Sequence, residues 1–279
     1  MSTETRPKPT KLRSILSRFL GTADSPSPPP RISSSSSLSS HQNEYLNEVT
    51  LKGLNTHQHQ IMDGELASDL RGLLPPRLQL DDEWSLVYSM EQHGISLNTL
   101  YRNSDPEVQL QTELGKKSSL GYADNVVKNM VVFTHNDMPL GKRPHGYVVA
   151  IEDHKGNRFG CYLNEHLRAT DKKRYYGNGE CFLWKSEWCE EKHKLPRRLK
   201  AFMYTGVNDN IIYSNHDFIA VGSSSGNNGL WIDKSLCLGV SYKCETFGNE
   251  ILNEHGDGHH KYGKFKIMNM EVWRVGQLK

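Results

Sequence analysis

From Gly146 to Val275 the chain is a succession of short apolar runs set apart by Gly, Ser and Asn. Turn signals recur at intervals of about 8–12 residues, the spacing of antiparallel strands in a sandwich or barrel. The segment YVVAIEDHKGNRFGCYL reads as a hairpin, with strands Tyr147–Ile151 and Phe159–Leu163 and a turn at His154–Asn157. Further strands are expected at Cys181–Trp184, Phe202–Tyr204, Asn210–Tyr213, Phe218–Val221, Gly229–Ile232, Leu236–Val240 and Phe265–Val275. No alternation of strand and helix runs through them, so a doubly wound dinucleotide fold is not expected. Trp84, Trp184, Trp231 and Trp273 each sit beside aliphatics and read as core residues.

Ahead of this region the pattern changes. Leu66, Leu70, Leu73 and Leu74 predict a short helix stopped by Pro75 and Pro76. Trp84–Tyr88 reads as a strand, and Ile95, Leu97, Leu100 and Tyr101 as a second short helix. Asp105–Arg143 is polar and weakly patterned, and is expected to be a long insertion loop with something local at Val126–Phe133. Residues 1–60 are expected to be a disordered tail and the folded domain to run over 65–279. Ser25–Ser40 holds Pro-Ser-Pro-Pro-Pro and a run of serines, too little apolar area to offset ordering entropy. The 36% hydrophobic content and mean hydropathy of −0.65 agree with a chain that is partly disordered.

Within the tail, Leu12, Ile15, Leu16, Phe19 and Leu20 form one helical apolar stripe, flanked by Lys11, Arg13 and Arg18. Such a basic, serine-rich stripe resembles a mitochondrial presequence, and equally suits an anionic membrane surface or a partner's groove. A mitochondrial address is expected, with a cytosolic protein recruited to the vacuole membrane as the alternative. No run is long and apolar enough to span a membrane. The net charge of +2 provides no general field for nucleic acid, which is not expected as a partner.

Chemistry is sparse. Gly222–Gly229 has no Lys-Ser or Lys-Thr after its last glycine and opens no helix. It therefore lacks both devices of a phosphate cradle and reads as a link between strands, open to a partner. Glu91, Glu180, Asp217, Asp233 and Glu245 flank strands or turns, and acid–base work would require two of them to converge. Glu91-Gln92-His93-Gly94 reads as a capping and turn segment. His255, His259 and His260 lie among glycines that disfavour the helix a His-x3-His metal pair needs. The cysteines are Cys161, Cys181, Cys189, Cys237 and Cys244, an odd set without the paired spacing of a disulfide framework or a zinc ribbon. A Cys within an apolar run reads first as a small core residue. Cys181, Cys189 and Cys244 are the redox candidates for the alternative function, a direct thiol-based antioxidant activity in mitochondria. The residues expected to face a partner are Glu91, His93, Glu180, Asp217, Gly222, Gly226, Gly229 and Asp233. No catalytic residue, cofactor or metal is expected.

Several segments taken together resemble the TLDc domain family, and within it the fungal oxidation resistance branch. They are LPPRLQLDDEWSLVYSMEQHGISLNTLYRN (Leu74–Asn103), YYGNGECFLWK (Tyr175–Lys185), YTGVNDNIIYS (Tyr204–Ser214), GLWIDKSLCLGVS (Gly229–Ser241), CETFGNEIL (Cys244–Leu252) and MEVWRVG (Met270–Gly276). They stand in the family's order and cover nearly all of the chain after about Glu65. Asp105–Arg143 departs from the family pattern by its length, and Cys189–Lys200 and Asn253–Lys264 by their character. The resemblance implies a β-rich α+β fold, a two-sheet antiparallel sandwich flanked by short helices. It implies a non-enzymatic role in protection from oxidative damage. It also implies binding to the cytosolic sector and peripheral stalk of the vacuolar-type proton ATPase, with an effect on that enzyme's assembly.

Overall fold

The computed structural model describes residues 47–55, 59–117, 145–172, 174–188, 197–254 and 260–278. The stripe at 11–20, Val126–Phe133, Cys189, His57, His255 and His259 fall outside them. The strands are β1 (Thr50–Lys52), β2 (Glu83–Ser89), β3 (His145–Asp153), β4 (Arg158–Leu163), β5 (Phe182–Trp188), β6 (Arg197–Met203), β7 (Ile212–Ser214), β8 (Phe218–Ser224), β9 (Asn227–Asp233), β10 (Leu238–Tyr242) and β11 (Tyr262–Gly276). The helices are α1 (Gly64–Arg71), α2 (Pro76–Gln79), α3 (Met90–His93), α4 (Leu97–Ser104) and α5 (Pro106–Lys117).

Local chemistry explains where the helices begin. Asp63 caps α1 by accepting from the Leu66 amide at 2.8 Å, and Ser96 caps α4 by accepting from the Thr99 amide at 3.2 Å. Pro76 ends no helix but opens α2, where its fixed φ fits and its missing N–H goes unneeded. The same device operates at Asp105-Pro106-Glu107. The Asp105 carboxylate accepts from the Glu107 amide at 2.9 Å, and α5 occupies the start of the stretch expected to be loop. Its moderate apolar content hid it, although the capping signature was there to read.

The protein is β-rich, mostly antiparallel, with short helices around the sheet. The two layers expected of a sandwich are joined by hydrogen bonds into one sheet, with β3–β4 and β8–β9 sharing a core. The strands form one continuous path, β6-β5-β4-β3-β11-β10-β9-β8-β7, with β2 pairing on β11 and β1 parallel to β2. β11 makes the continuity. Its first part, Tyr262–Lys266, pairs with β10, and Ile267–Gly276 pairs with β3 across an irregularity between Ile267 and Asn269. β1 lies ahead of the boundary expected near Glu65.

Two cores result. The first gathers Val149, Ile151 and Leu163 of β3–β4 with Ile219, Val221, Leu230 and Ile232 of β8–β9. The second covers the opposite face of β3–β5 with Leu66, Leu70, Leu74 and Leu78 from α1, α2 and their connection. Strands β3 to β5 are thus buried on both faces, which is why YVVAI is a continuous apolar run with no alternation. Trp84, Trp184 and Trp273 are fully buried in the second core. Trp231 belongs to neither core. It lies half-buried on the outer face of β9, a correction to its expected place.

Candidate interaction site

The glycine-bearing stretch is a tight hairpin. Ser224 pairs with Asn227, leaving Ser225 (φ 51°) and Gly226 (φ 80°) as a two-residue turn. Positive φ at both positions matches the twist of the flanking strands. Gly222 lies inside β8 at φ 72°, and a Cβ there would come within 2.7 Å of the Phe247 ring. Gly229 is in contact range of Leu183 in the same way, 2.7 Å from an added Cβ. Gly222 and Gly229 are therefore buried packing positions, and only Gly226 is free of near neighbours.

The polar candidates are held by separate local partners. The Glu91 carboxylate accepts from the His59 amide at 3.2 Å. His93 Nδ1 accepts from the Ser89 amide at 2.9 Å, with its ring stacked on Tyr88. Glu180 forms a bidentate pair with Arg77 at 2.5 and 2.6 Å, tying α2 to the turn before β5. That hydrogen bond is the main reason the Arg77 pKa is raised. Asp217 meets Lys234 at 3.2 Å on the surface. Asp233 closes the turn after β9, accepting from Ser235 Oγ at 2.6 Å and from the Leu238 amide at 3.1 Å. Glu245 accepts from Ser224 Oγ at 2.9 Å. Among the described residues these carboxylates share no partner, and they form no acid–base pair. No group of three or more metal-ligating side chains occurs among the described residues.

The thiols divide by burial. Cys181 donates to Asn164 Oδ1 at 3.0 Å, and burial pushes its pKa up to about 12. Burial raises the Cys161 thiol too. Cys244 is buried, with its Sγ 3.3 Å from Thr246 Oγ1. Cys237 is exposed. A thiolate nucleophile needs a lowered pKa and access, so Cys181 and Cys161 are moved in the opposite direction.

Two features escaped sequence reasoning. A cleft of about 510 Å³ lies against the segment between β4 and β5, lined by Arg168, Lys172, Arg174, Tyr175 and Tyr176 among others. Arg168 sits 4.0 Å over the Tyr176 ring and pairs with Glu165 at 2.9 Å. The other feature is the outer face of β7–β11. Register places Tyr213, Ala220, Trp231, Val240 and Lys264 opposite one another in a single row across five strands. Along β11 the outward Tyr262, Lys264, Lys266 and Met268 alternate with the buried Gly263, Phe265 and Ile267. That alternation was the one signal of this face in the sequence.

A strap precedes α1. The Glu271 carboxylate accepts from the amides of Ile61 (2.8 Å) and Met62 (3.1 Å) and from Trp273 Nε1 (2.9 Å). His59 Nε2 lies 2.9 Å from Glu152, and Asn269 Nδ2 donates to the His59 carbonyl at 3.2 Å. His59, expected in the tail, is thus tied to the folded body.

The TLDc domain model matches residues 55–118 and 127–276. Oxidation resistance protein 1 of Debaryomyces hansenii is 56% identical over 84% of this chain and 76% of its own length. The proteins of the same name from Kluyveromyces lactis (39% identical; 78% of this chain, 77% of that protein) and Saccharomyces cerevisiae (34%; 82% and 78%) are also similar. With this sheet, these helices and a family match over most of its length, the chain belongs to the TLDc domain family.

Proposed function

We propose that the protein is a non-enzymatic binding module that protects cells from oxidative damage, acting by docking on the vacuolar-type proton ATPase and altering its assembly. The observation that carries this is family membership, with relatives named Oxidation resistance protein 1. The site geometry supports it. The candidate carboxylates hold turns and elements together, the glycines pack or turn the chain, and three of the four described thiols are buried. The cytosolic sector and peripheral stalk are the proposed contacts, by the family resemblance. The test is a pull-down from cell extract with the full chain and with a version lacking residues 1–60. Recovery of ATPase subunits is expected, and recovering none with either version overturns the docking proposal. If stress protection disappears when all five cysteines are replaced, thiol chemistry is responsible instead.

The proposed address is mitochondrial, supported by the basic stripe at 11–20. Docking on the ATPase requires a cytosolic pool recruited to the vacuole membrane. Import of a C-terminally tagged chain separates the two. Loss of roughly the first 20–40 residues marks a presequence, and an uncleaved cytosolic product removes the mitochondrial reading.

A further inference from the structure

We propose that the outer face of β7–β11 is a docking surface for an acidic amphipathic helix of a partner protein. The proposal deepens the binding-module reading and rests on it, but not on which assembly supplies the helix.

The face is apolar where it should be wet. Tyr213 packs on Phe218 at 5.4 Å between ring centroids, and Phe218 on Trp231 at 6.1 Å. Tyr175, lining the cleft beside Arg174, continues the series 5.5 Å from Tyr213. At the other end Tyr242 packs on Tyr262 at 5.4 Å. Leu238 (51% exposed), Tyr262 (44%) and Met268 (63%) extend the patch toward β11. No described helix covers this face, whereas α1 and α2 cover the corresponding outer face of β3–β5. Two aromatic clusters on one sheet face that no described helix covers mark a contact site.

Charge and size select the occupant. Lys264 and Lys266 stand exposed at the β11 end, and Lys172 and Arg174 at the cleft end. Asp217 is engaged by Lys234 and Asp233 by its turn. At the cleft end Glu165 pairs with Arg168 and Asp171 is exposed, which still leaves that cleft one net positive charge from Lys172 and Arg174. An apolar row with cations at both ends complements a partner with an apolar stripe and carboxylates. The same charges oppose a second copy of this face, and the basic 11–20 stripe carries the wrong sign. β8 to β11 have neighbours on both sides. The outer side of the terminal strand β7 is bonded by Tyr176, whose amide donates to the Ile212 carbonyl at 2.9 Å, and by Thr170, whose amide donates to the Ser214 carbonyl at 3.0 Å. The face therefore offers side chains more than an edge for strand addition. Four inter-strand steps of about 4.8 Å span about 19 Å, the length of a helix of about 13 residues. The rings lie packed on one another and half-buried, a platform for a helix more than wedges for a bilayer.

The full chain is titrated, by fluorescence anisotropy, with a labelled helical peptide of about 14 residues carrying leucines on one face and glutamates on the other. Binding is expected, with no binding by the peptide in which lysines replace the glutamates. Lys264→Glu/Lys266→Glu and Trp231→Ser are each expected to weaken it at least about tenfold. The lysine pair is exposed, so that variant reads the surface even if the tryptophan variant folds poorly. A photo-crosslinking benzoylphenylalanine in place of Tyr213 is expected to capture the peptide. Capture of a second copy, of residues 1–44 of the same chain, or of phosphatidylserine vesicles in preference to the peptide overturns the proposal. So does peptide binding unchanged in both variants. If the peptide fails while ATPase subunits are still recovered, the surface is wrong and the docking reading stands; if it binds while none is recovered, the reverse holds.

Discussion

Glu271 carries a carboxylate to a fully buried position, where three N–H donors converge on it. Removing it leaves those donors unpaired, so Glu271→Ala is expected to destabilise the fold by about 3 kcal/mol, measured by urea unfolding. Burial raises its pKa above the usual value near 4.5, with the donors pulling the other way. A folded pKa above the unfolded one means that the group's stabilising contribution is full below about pH 4.5 and is lost as pH rises through the raised value. Relative to Glu271→Gln, the wild type should lose stability as pH climbs from about 4.5 toward neutrality. Unfolding midpoints of the two proteins across that range check the sign, and an opposite slope refutes it. The cysteines give a second expectation at this scale. A thiol reagent added to the native protein should modify Cys237 ahead of Cys161, Cys181 and Cys244, which require unfolding first. Mass spectrometry of the labelled peptides shows the order. Sequence reading could name Cys181 and Cys244 only as candidates because the burial of a thiol depends on chain remote from it. Asn164, which holds Cys181, comes from the end of β4.

At the scale of the element, the β8–β9 hairpin shows what its glycines do. Gly222 combines positive φ with the Phe247 ring, whereas Gly226 has positive φ in open space. Gly222→Ala is therefore expected to cost about 2–3 kcal/mol and Gly226→Ala about 1 kcal/mol. Thermal melts of the two variants should rank in that order, and equal losses would mean that the Phe247 contact is easily relieved. The strands were legible because their runs are apolar and their turns rich in Gly, Asn and Ser. The helix α5 was not, since its apolar positions are few and its start is announced only by Asp105-Pro106. The site at this scale was partly legible. The GLWID run predicts β9, but which face Trp231 takes depends on register with β8 and β10.

At the scale of the whole molecule, β11 is decisive. It pairs with β10 on one side of its bend and with β3 and β2 on the other, so both halves of the sheet depend on the last segment of chain. Removing residues 262–279 should leave no cooperatively folded domain, read as loss of near-ultraviolet circular dichroism and of a sigmoidal melt. A truncated chain that melts like the parent would show that the halves fold apart. Local sequence was enough to establish that the chain is β-rich and antiparallel, that its glycine stretch is a linkage, and which family it belongs to. Those properties are written in local periodicity, turn chemistry and motifs. Long-range packing set the rest: the continuity of the sheet, the outward face of Trp231 against the burial of Trp84, Trp184 and Trp273, and the anchoring of the strap before α1 by Glu271. The reason is physical. Burial, cross-strand register and the convergence of hydrogen-bond donors join residues far apart in the chain, and no short window of sequence contains both partners.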